Sequence, residues 1–338
     1  MTLLTLKTIE DRLFTAGAKT IHVEHFFRTW VSMKMFNDQS LNYPKLVKEE
    51  INQLLDEMNN SAQIIQEEKD GEDSSKLIVR LQDGEIIESV LLPRGGLCVS
   101  CQVGCAVGCV FCMTGKSGLV RQLTDFEIVS QLRLARQIRP ISKVVFMGMG
   151  EPSHNRRNVL SAIDFMAKFS GIGYKNLVLS TVGDRRLFNE LEQRTIKPAL
   201  AISLHTTSDE KRKELLPNAE RIPVIEIMDF ASRYAKNTHY PIQYQWTLIR
   251  GLNDDDQELD RLEKLWLGQF AIMNMIPVNS VEGSSYVRPD SDRLSVIEDK
   301  LRQIGVLLKY RESAAQNVNG GCGQLRARYQ AQKDEANG

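Results

Sequence analysis

The stretch Cys105-Ala106-Val107-Gly108-Cys109-Val110-Phe111-Cys112 sets three cysteines in C-x3-C-x2-C spacing. Thiolates so spaced can hold an iron–sulfur cluster at three irons and leave the fourth without a protein ligand. Gly104, Ala106 and Gly108 keep the loop small enough for the sulfurs to converge. A rival reading pairs Cys98-x2-Cys101 with Cys109-x2-Cys112 as two zinc knuckles, but only seven residues separate them, against about 15–20 in a zinc ribbon. Zinc and inert thiols stay open on spacing alone. Five of the six cysteines fall within residues 98–112, too close together to staple distant parts of the chain, so metal or redox chemistry is the better account.

Outward from this loop the chain alternates strand and helix. Apolar runs at 96–102, 143–149, 176–182, 198–204, 242–249, 270–278 and 306–310 read as strands with helical segments between them. The first helix opens on a capping box, Thr124 to Glu127, and carries Ile128, Leu132 and Ala135 on one face. The last carries Leu294, Ile297, Leu301 and Ile304 and stops at Gly305. Right-handed βα units of this kind close into a parallel sheet, and about six of them make a partial barrel short of eight. The fold class is therefore α/β, a partial (βα)6 barrel with a small N-terminal helical module and a β-hairpin. The cysteine loop follows the C-terminal end of the first strand, where such folds collect their chemistry.

Upstream, residues 1–65 read as a helical accessory module. Phe26, Phe27 and Trp30 cluster there, and Leu46, Val47, Ile51, Leu54 and Leu55 recur at helical spacing. The polar, acidic run from Gln66 to Ser75 reads as a linker. Leu77, Val79 and Leu81 alternate up to Asp83-Gly84, and Ile86, Glu88 and Val90 alternate after it, a hairpin with an expected type I′ turn. The divisions are 1–65 helical and RNA-binding, 66–93 linker and hairpin, 94–310 core, and 311–338 a C-terminal segment.

The chain has 338 residues, 42% apolar, with 43 basic and 43 acidic side chains. Whole-protein charge gives no argument for nucleic acid. Residues 94–143 are locally basic, seven Lys or Arg (Arg94, Lys116, Arg121, Arg133, Arg136, Arg139, Lys143) against Asp125 and Glu127. That suits a polyanion, though a solvated helix face would look the same. No apolar run approaches the roughly 18 residues that span a bilayer, and no signal core opens the chain, so a soluble cytoplasmic protein without membrane contact is expected.

Polar residues recur at the expected strand ends: Gly148-Met149-Gly150-Glu151-Pro152, Leu179-Ser180-Thr181, Ser203-Leu204-His205 and Pro277-Val278-Asn279. Each alone could be an ordinary turn or cap. Together they would ring one mouth with hydroxyl, amide and carboxylate groups, as a nucleoside-sized ligand requires.

With Leu97-Cys98-Val99-Ser100-Cys101-Gln102-Val103-Gly104-Cys105, Met147-Gly148-Met149-Gly150-Glu151-Pro152, Ser203-Leu204-His205 and Cys322-Gly323-Gln324-Leu325, the chain resembles the RlmN and Cfr family. These are radical S-adenosylmethionine (SAM) enzymes that methylate adenosine carbons in RNA. The likeness runs over almost the whole chain, and the pair Cys98 and Cys322 narrows it beyond the wide radical SAM superfamily. It implies that Cys105, Cys109 and Cys112 bind a [4Fe-4S] cluster whose open iron is chelated by SAM. Gly150, Glu151, Ser180, Ser203, Leu204, His205 and Asn279 are then the SAM pocket.

The resemblance also implies a mechanism using two SAM molecules per turnover. Adenine C2 and C8 are electron-poor and cannot attack a sulfonium methyl, whereas a thiolate can. Cys322 takes the methyl group as S-methylcysteine, loses a hydrogen atom to the radical made from the second SAM, and adds to the ring. Glu88 stands at the proton-acceptor position, and the thiolate of Cys98 then attacks Cys322, releasing methylated base and leaving a disulfide. On sequence pattern alone Glu88 could equally be a solvent-facing edge carboxylate. The expected partners are rRNA or tRNA, methylated at C2 rather than C8, and an electron donor; the protein is expected to act as a monomer.

Cys101 has no counterpart role and reads as a bystander or adventitious metal ligand. Before Cys322 the chain departs from the family's pattern, reading Arg311-Glu312-Ser313-Ala314-Ala315-Gln316-Asn317-Val318-Asn319-Gly320-Gly321, and Val182 and Met113 replace residues that are often smaller. Two other classes compete: a radical SAM enzyme of other chemistry, which would not need both Cys98 and Cys322, and a non-catalytic zinc-bearing RNA-binding protein.

Overall fold

A computed structural model describes residues 3–34, 41–116, 118–279, 284–310 and 314–325. The chain opens with three helices, α1 (Leu6–Thr15), α2 (Thr20–Val31) and α3 (Lys45–Asn60). Four strands follow, β1 (Ala62–Asp70), β2 (Ser74–Leu81), β3 (Ile86–Leu92) and β4 (Gly96–Cys98), paired antiparallel in that order. Next come a short ribbon of β5 (Gln102–Gly104) and β6 (Leu119–Gln122) flanking α4 (Met113–Lys116), and then α5 (Asp125–Ile138).

From β4 onward the sheet is parallel. It runs through β7 (Lys143–Phe146), β8 (Leu177–Thr181), β9 (Ala199–Ser203), β10 (Ile242–Leu248), β11 (Ala271–Pro277) and β12 (Leu307–Tyr310). The crossovers are α5, α6 (Arg156–Phe169), α7 (Arg185–Gln193), α8 (Asp209–Leu215) with α9 (Val224–Thr238), α10 (Asp256–Trp266) and α11 (Ser291–Gln303). One ten-stranded sheet, β1-β2-β3-β4-β7-β8-β9-β10-β11-β12, thus holds the expected six βα units with one more strand after the last.

The local signals account for the boundaries. At α5 the Thr124 hydroxyl accepts the Glu127 amide at 3.1 Å while the Glu127 carboxylate accepts the Thr124 amide at 2.8 Å, the reciprocal cap read from sequence. At the end of α11 the Val306 amide reaches back to Leu301 O at 2.9 Å, with Gly305 at φ +79°. Central strands such as β8 are buried throughout, which is why they read as continuous apolar runs.

Two expectations are corrected. The segment read as a linker from Gln66 is strand as far as Asp70, because β1 is the outermost strand of the sheet and an edge strand can be built from Glu67, Glu68 and Lys69. The hairpin turn is not type I′. Gly84 stands at φ +90° but Asp83 is not at positive φ, and the bonds Gly84 N to Leu81 O and Leu81 N to Glu85 O close a three-residue loop with glycine at its left-handed position.

The N-terminal helices share the core rather than standing apart from it. Trp30 stacks on Phe126 of α5 at 5.4 Å, and Phe27 meets Phe165 of α6 edge-on at 5.0 Å. The basic stretch at 94–143 turns out to be largely internal wiring. Arg133 lies over the Trp30 ring, Arg136 donates to Val31 O and Ser170 O, Arg139 donates to Asp73 O and Leu92 O, and Arg121 pairs with Asp83 and Glu127. Among the described residues no helix is long and apolar enough to cross a membrane.

Because Trp30 is 2% exposed and joins α2 to α5, Trp30→Ala is expected to cost about 3–5 kcal/mol in chemical denaturation. A loss under about 1 kcal/mol would show that the helices do not depend on this contact.

Candidate active site

The cysteine loop leaves β5 at the C-terminal end of the sheet, through Gly104. This residue has φ +78°, and a Cβ there would stand 2.0 Å from Gly118 O, so only glycine lets the loop close. Main-chain bonds from remote segments then fix it. Cys105 N donates to Gly118 O at 2.8 Å, Val110 N to Leu215 O at 3.2 Å, Asn218 N to Val107 O at 3.1 Å, and Met113 N to Gly323 O at 2.7 Å.

Burial pushes the Cys105 thiol up to about 12 and raises Cys109 well above its ordinary value, and each neighbouring thiol raises it further. Three thiols held so close resist ionising together unless a cation is shared among them. Among the described residues no three His, Cys, Asp or Glu are gathered around a point that could hold a single metal ion. An iron–sulfur cluster is a wider object, taking each thiolate on a different iron. Nearby, the Arg212 guanidinium is 6% exposed and its Nε has no hydrogen-bond partner. A buried cation of this kind wants an anion beside it, and a cluster carrying thiolates is one. The residues fit the group.

Around the same mouth stand the predicted strand-end residues. Glu151, 5% exposed, accepts the Ser153 amide at 3.0 Å and the Thr181 hydroxyl at 2.6 Å on one oxygen, and the Val182 amide at 3.1 Å on the other. Its orientation is locked, and capacity for an ammonium donor remains. Ser180 is buried near the end of β8, and Ser203 is half-buried at the end of β9. Leu204 is fully buried, its amide on Gln245 O at 3.1 Å.

His205 sits at φ +62°; its Nδ1 accepts the Thr247 amide at 3.1 Å and its ring meets Phe111 edge-on at 4.9 Å. The neutral ring therefore carries its proton on Nε2. Burial, aided by Arg212, lowers its pKa to about 3, so it is no acid–base group near neutrality and serves to brace the loop.

Three further residues make close contacts within the protein. Gly150, at φ +104°, turns the side where a Cβ would stand to Gln102 Cβ at 2.6 Å and Cys101 Sγ at 2.9 Å, so close packing within the protein requires this glycine. Cys101 is buried and structural, its amide on Met149 O and its carbonyl accepting Asn155 Nδ2. Asn279 faces the C-terminal segment, donating from Nδ2 to Cys322 O at 2.8 Å.

Of the remaining three residues, Glu88 and Cys98 lie on one face of the sheet. Glu68, Lys76, Val90, Cys98 and Val145 are register partners across β1, β2, β3, β4 and β7. Glu88, two residues before Val90, shares that face. It is 2% exposed on an internal strand, which excludes the edge-carboxylate reading, and Lys76 Nζ stands 3.8 Å from it and 2.8 Å from Glu68. Neither Cys98 nor Cys322 is in a disulfide, and they are buried and exposed respectively. Burial first, then the proximity of Cys322, pushes Cys98 up to about 12.

Sequence reasoning missed Arg212 and Lys76. Arg212 hides in Lys211-Arg212-Lys213, which reads as a solvated charge run, and Lys76 precedes an apolar strand with no motif around it. The alternation of β2 against β3 was the available signal for Lys76.

Residues 99–262 match the Radical SAM superfamily. A probable RNA methyltransferase of Ectopseudomonas mendocina (strain ymp) is 49% identical over 329 residues, covering 96% of this chain and 95% of the relative. Another from Thiobacillus denitrificans is 50% identical over 327 residues, covering 96% and 90%. The crystal structure of a radical SAM methyltransferase from Sphaerobacter thermophilus aligns with TM-score 0.83 and 31% identity, over 96% of this chain and 98% of that one. Fold and thiol loop together define a radical SAM enzyme, with an iron–sulfur cluster and SAM as its cofactors. The chain belongs to the radical SAM methyltransferases.

The thiol environments predict a pH-dependent difference in alkylation of the metal-free protein. The exposed Cys322 is expected to react with iodoacetamide at pH 8, whereas Cys98, protonated until the pH nears 12, stays unmodified. Peptide mass mapping showing equal labelling at pH 8 would contradict this environment for Cys98.

Proposed function

We propose that this enzyme methylates a ring carbon of an adenosine in RNA, C2 rather than C8, with Cys322 as methyl carrier. The observation that carries the reading is the approach of Cys98 and Cys322, from the first core strand and the C-terminal segment, at the mouth that also holds the three-thiol loop. A radical SAM enzyme of other chemistry has no need of that pair. RNA as substrate, rRNA or tRNA, is supported by the naming of the relatives as probable RNA methyltransferases.

Cys105, Cys109 and Cys112 hold the [4Fe-4S] cluster in this reading, and Gly150, Glu151, Ser180, Ser203, Leu204, His205 and Asn279 surround SAM. When bound, the cluster supplies the electron that opens a carbon–sulfur bond of SAM and takes one back later in the turnover. Cys322, exposed, forms a sulfur–methyl bond as the sulfonium–methyl bond of a first SAM breaks. The S-methyl carbon would give up a hydrogen atom to the carbon fragment that cleavage of a second SAM supplies, and then bond to the ring.

Glu88 then accepts the ring proton while the electron pair of the C–H bond stays in the ring, and Lys76 holds its carboxylate in place. Cys98 as thiolate attacks the Cys322 sulfur. The sulfur–carbon electrons leave with the base, whose methylene carbon takes up a proton to become the methyl group, and a disulfide remains, which an external thiol must reduce. The high proton affinity of Cys98 keeps it a thiol until this step.

Anaerobically reconstituted protein given methyl-labelled SAM and undermodified RNA is expected to yield 2-methyladenosine in nuclease digests analysed by mass spectrometry. Cys322→Ala should yield none. Full turnover by Cys322→Ala would remove the carrier from the mechanism.

A further inference from the structure

The parallel half of the sheet has a second mouth, at the end opposite the cysteine loop. There the chain around the starts of the strands encloses a cavity of about 240 Å³. Lys143 and Ala199 are the first residues of β7 and β9, and Lys175 and Tyr240 stand two residues ahead of β8 and β10. Lys309 comes from β12, where it is the register partner of Asn274, so the two share a face. Asn274 is fully buried.

The lining of this cavity carries three lysines and no aspartate or glutamate. Lys175 and Lys309 form no ion pair with a carboxylate among the described residues. In a chain with 43 basic and 43 acidic side chains, three cations on one concave wall without a counter-charge are a local feature. A gap left only because six βα units do not close a barrel would be lined by the branched apolar side chains that fill barrel interiors, and would stay dry. Here the wall adds the side-chain amides of Gln243 and Asn274 to the lysines. Like charges that converge in a partly enclosed space repel one another, and the surrounding protein focuses their field on whatever enters.

We propose that this mouth binds a compact phosphate compound of about the size of pyrophosphate, its oxygens taken by the ammonium groups of Lys143, Lys175 and Lys309. An ammonium brings three donors and a full charge and suits a phosphate as a point charge. One carboxylate would neutralise one lysine, whereas three call for an anion of higher charge. The volume is below the roughly 300–1,000 Å³ of pockets that enclose drug-sized ligands, which favours a small free anion over a strand of RNA. Because the cavity opens away from the three thiols, the anion and SAM do not exclude each other.

The test is isothermal titration calorimetry of inorganic pyrophosphate into cluster-loaded protein saturated with SAM, at constant ionic strength. The wild type should bind one equivalent. Lys175 and Lys309 are exposed, so Lys175→Gln combined with Lys309→Gln should leave the fold intact and weaken binding roughly tenfold to a hundredfold or more, the range for lost hydrogen bonds to a charged group. Ala199→Leu, which fills the cavity and keeps every charge, should weaken it as well, with Ala199→Val as the smaller replacement should the first variant not fold. Lys45→Gln, on α3 with its side chain 90% exposed, should change nothing.

No binding by the wild type, or undiminished binding by the double variant, overturns the inference. So does an equal loss in Lys45→Gln, which would mean diffuse attraction by surface charge. Binding seen only when SAM is left out would place the anion at the thiol mouth, and a loss confined to RNA in parallel titrations would assign the lysines to the backbone of a nucleic acid; either result also overturns it.

Discussion

The structure turns on how an eight-residue loop is held so that three thiols face one another. Thiols brought together in a buried place repel as soon as they ionise, and a loop free to relax would carry them apart. Here the loop cannot relax. Main-chain bonds tie it to the β5–β6 ribbon at Gly118, to the end of α8 at Leu215, to the following turn at Asn218 and to the C-terminal segment at Gly323. The strand ends, the helix after β9 and the C-terminal segment therefore share one fixed point. Changing any of them moves the thiols.

The sheet supplies that point from two sides. Its parallel half brings the ends of β8, β9, β10 and β11 to the mouth, with Glu151 anchored by Thr181 and Val182 and His205 anchored by Thr247. Its antiparallel half, β1 to β4, places Cys98 and Glu88 on the same face as a buried lysine paired with Glu68. The C-terminal segment lies across both halves. Asn317 bonds Asp70 of β1 at 2.7 Å, while Asn279, just beyond β11, bonds the carbonyl of Cys322. An edge strand that looks like a spacer in sequence thus anchors the C-terminal segment.

Much of this was legible in the chain. Buried parallel strands are nearly unbroken Val, Ile and Leu runs, so their ends, and the polar residues there, could be read directly. The capping box at Thr124 and the stop at Gly305 marked helix limits because capping chemistry is local.

What was not legible depends on distant partners. β1 lacks an apolar face because it lies at the sheet edge, and the basic residues from Arg121 to Arg139 looked like a polyanion surface until their acceptors were seen. Arg212 could not be told from the lysines beside it, since a helix of seven residues leaves no periodicity to read. At Gly150 the sequence does not show that Gln102 and Cys101 pack where a Cβ would stand.

The central claim is that the transferred methyl group passes through Cys322. Incubating cluster-loaded protein with methyl-labelled SAM in the absence of RNA, followed by peptide mass spectrometry, addresses it directly. The account predicts a single labelled methyl group on Cys322 and none on Cys98, whose thiol remains protonated. Labelling of a different residue, or no labelled protein in a preparation that goes on to methylate RNA, would contradict it.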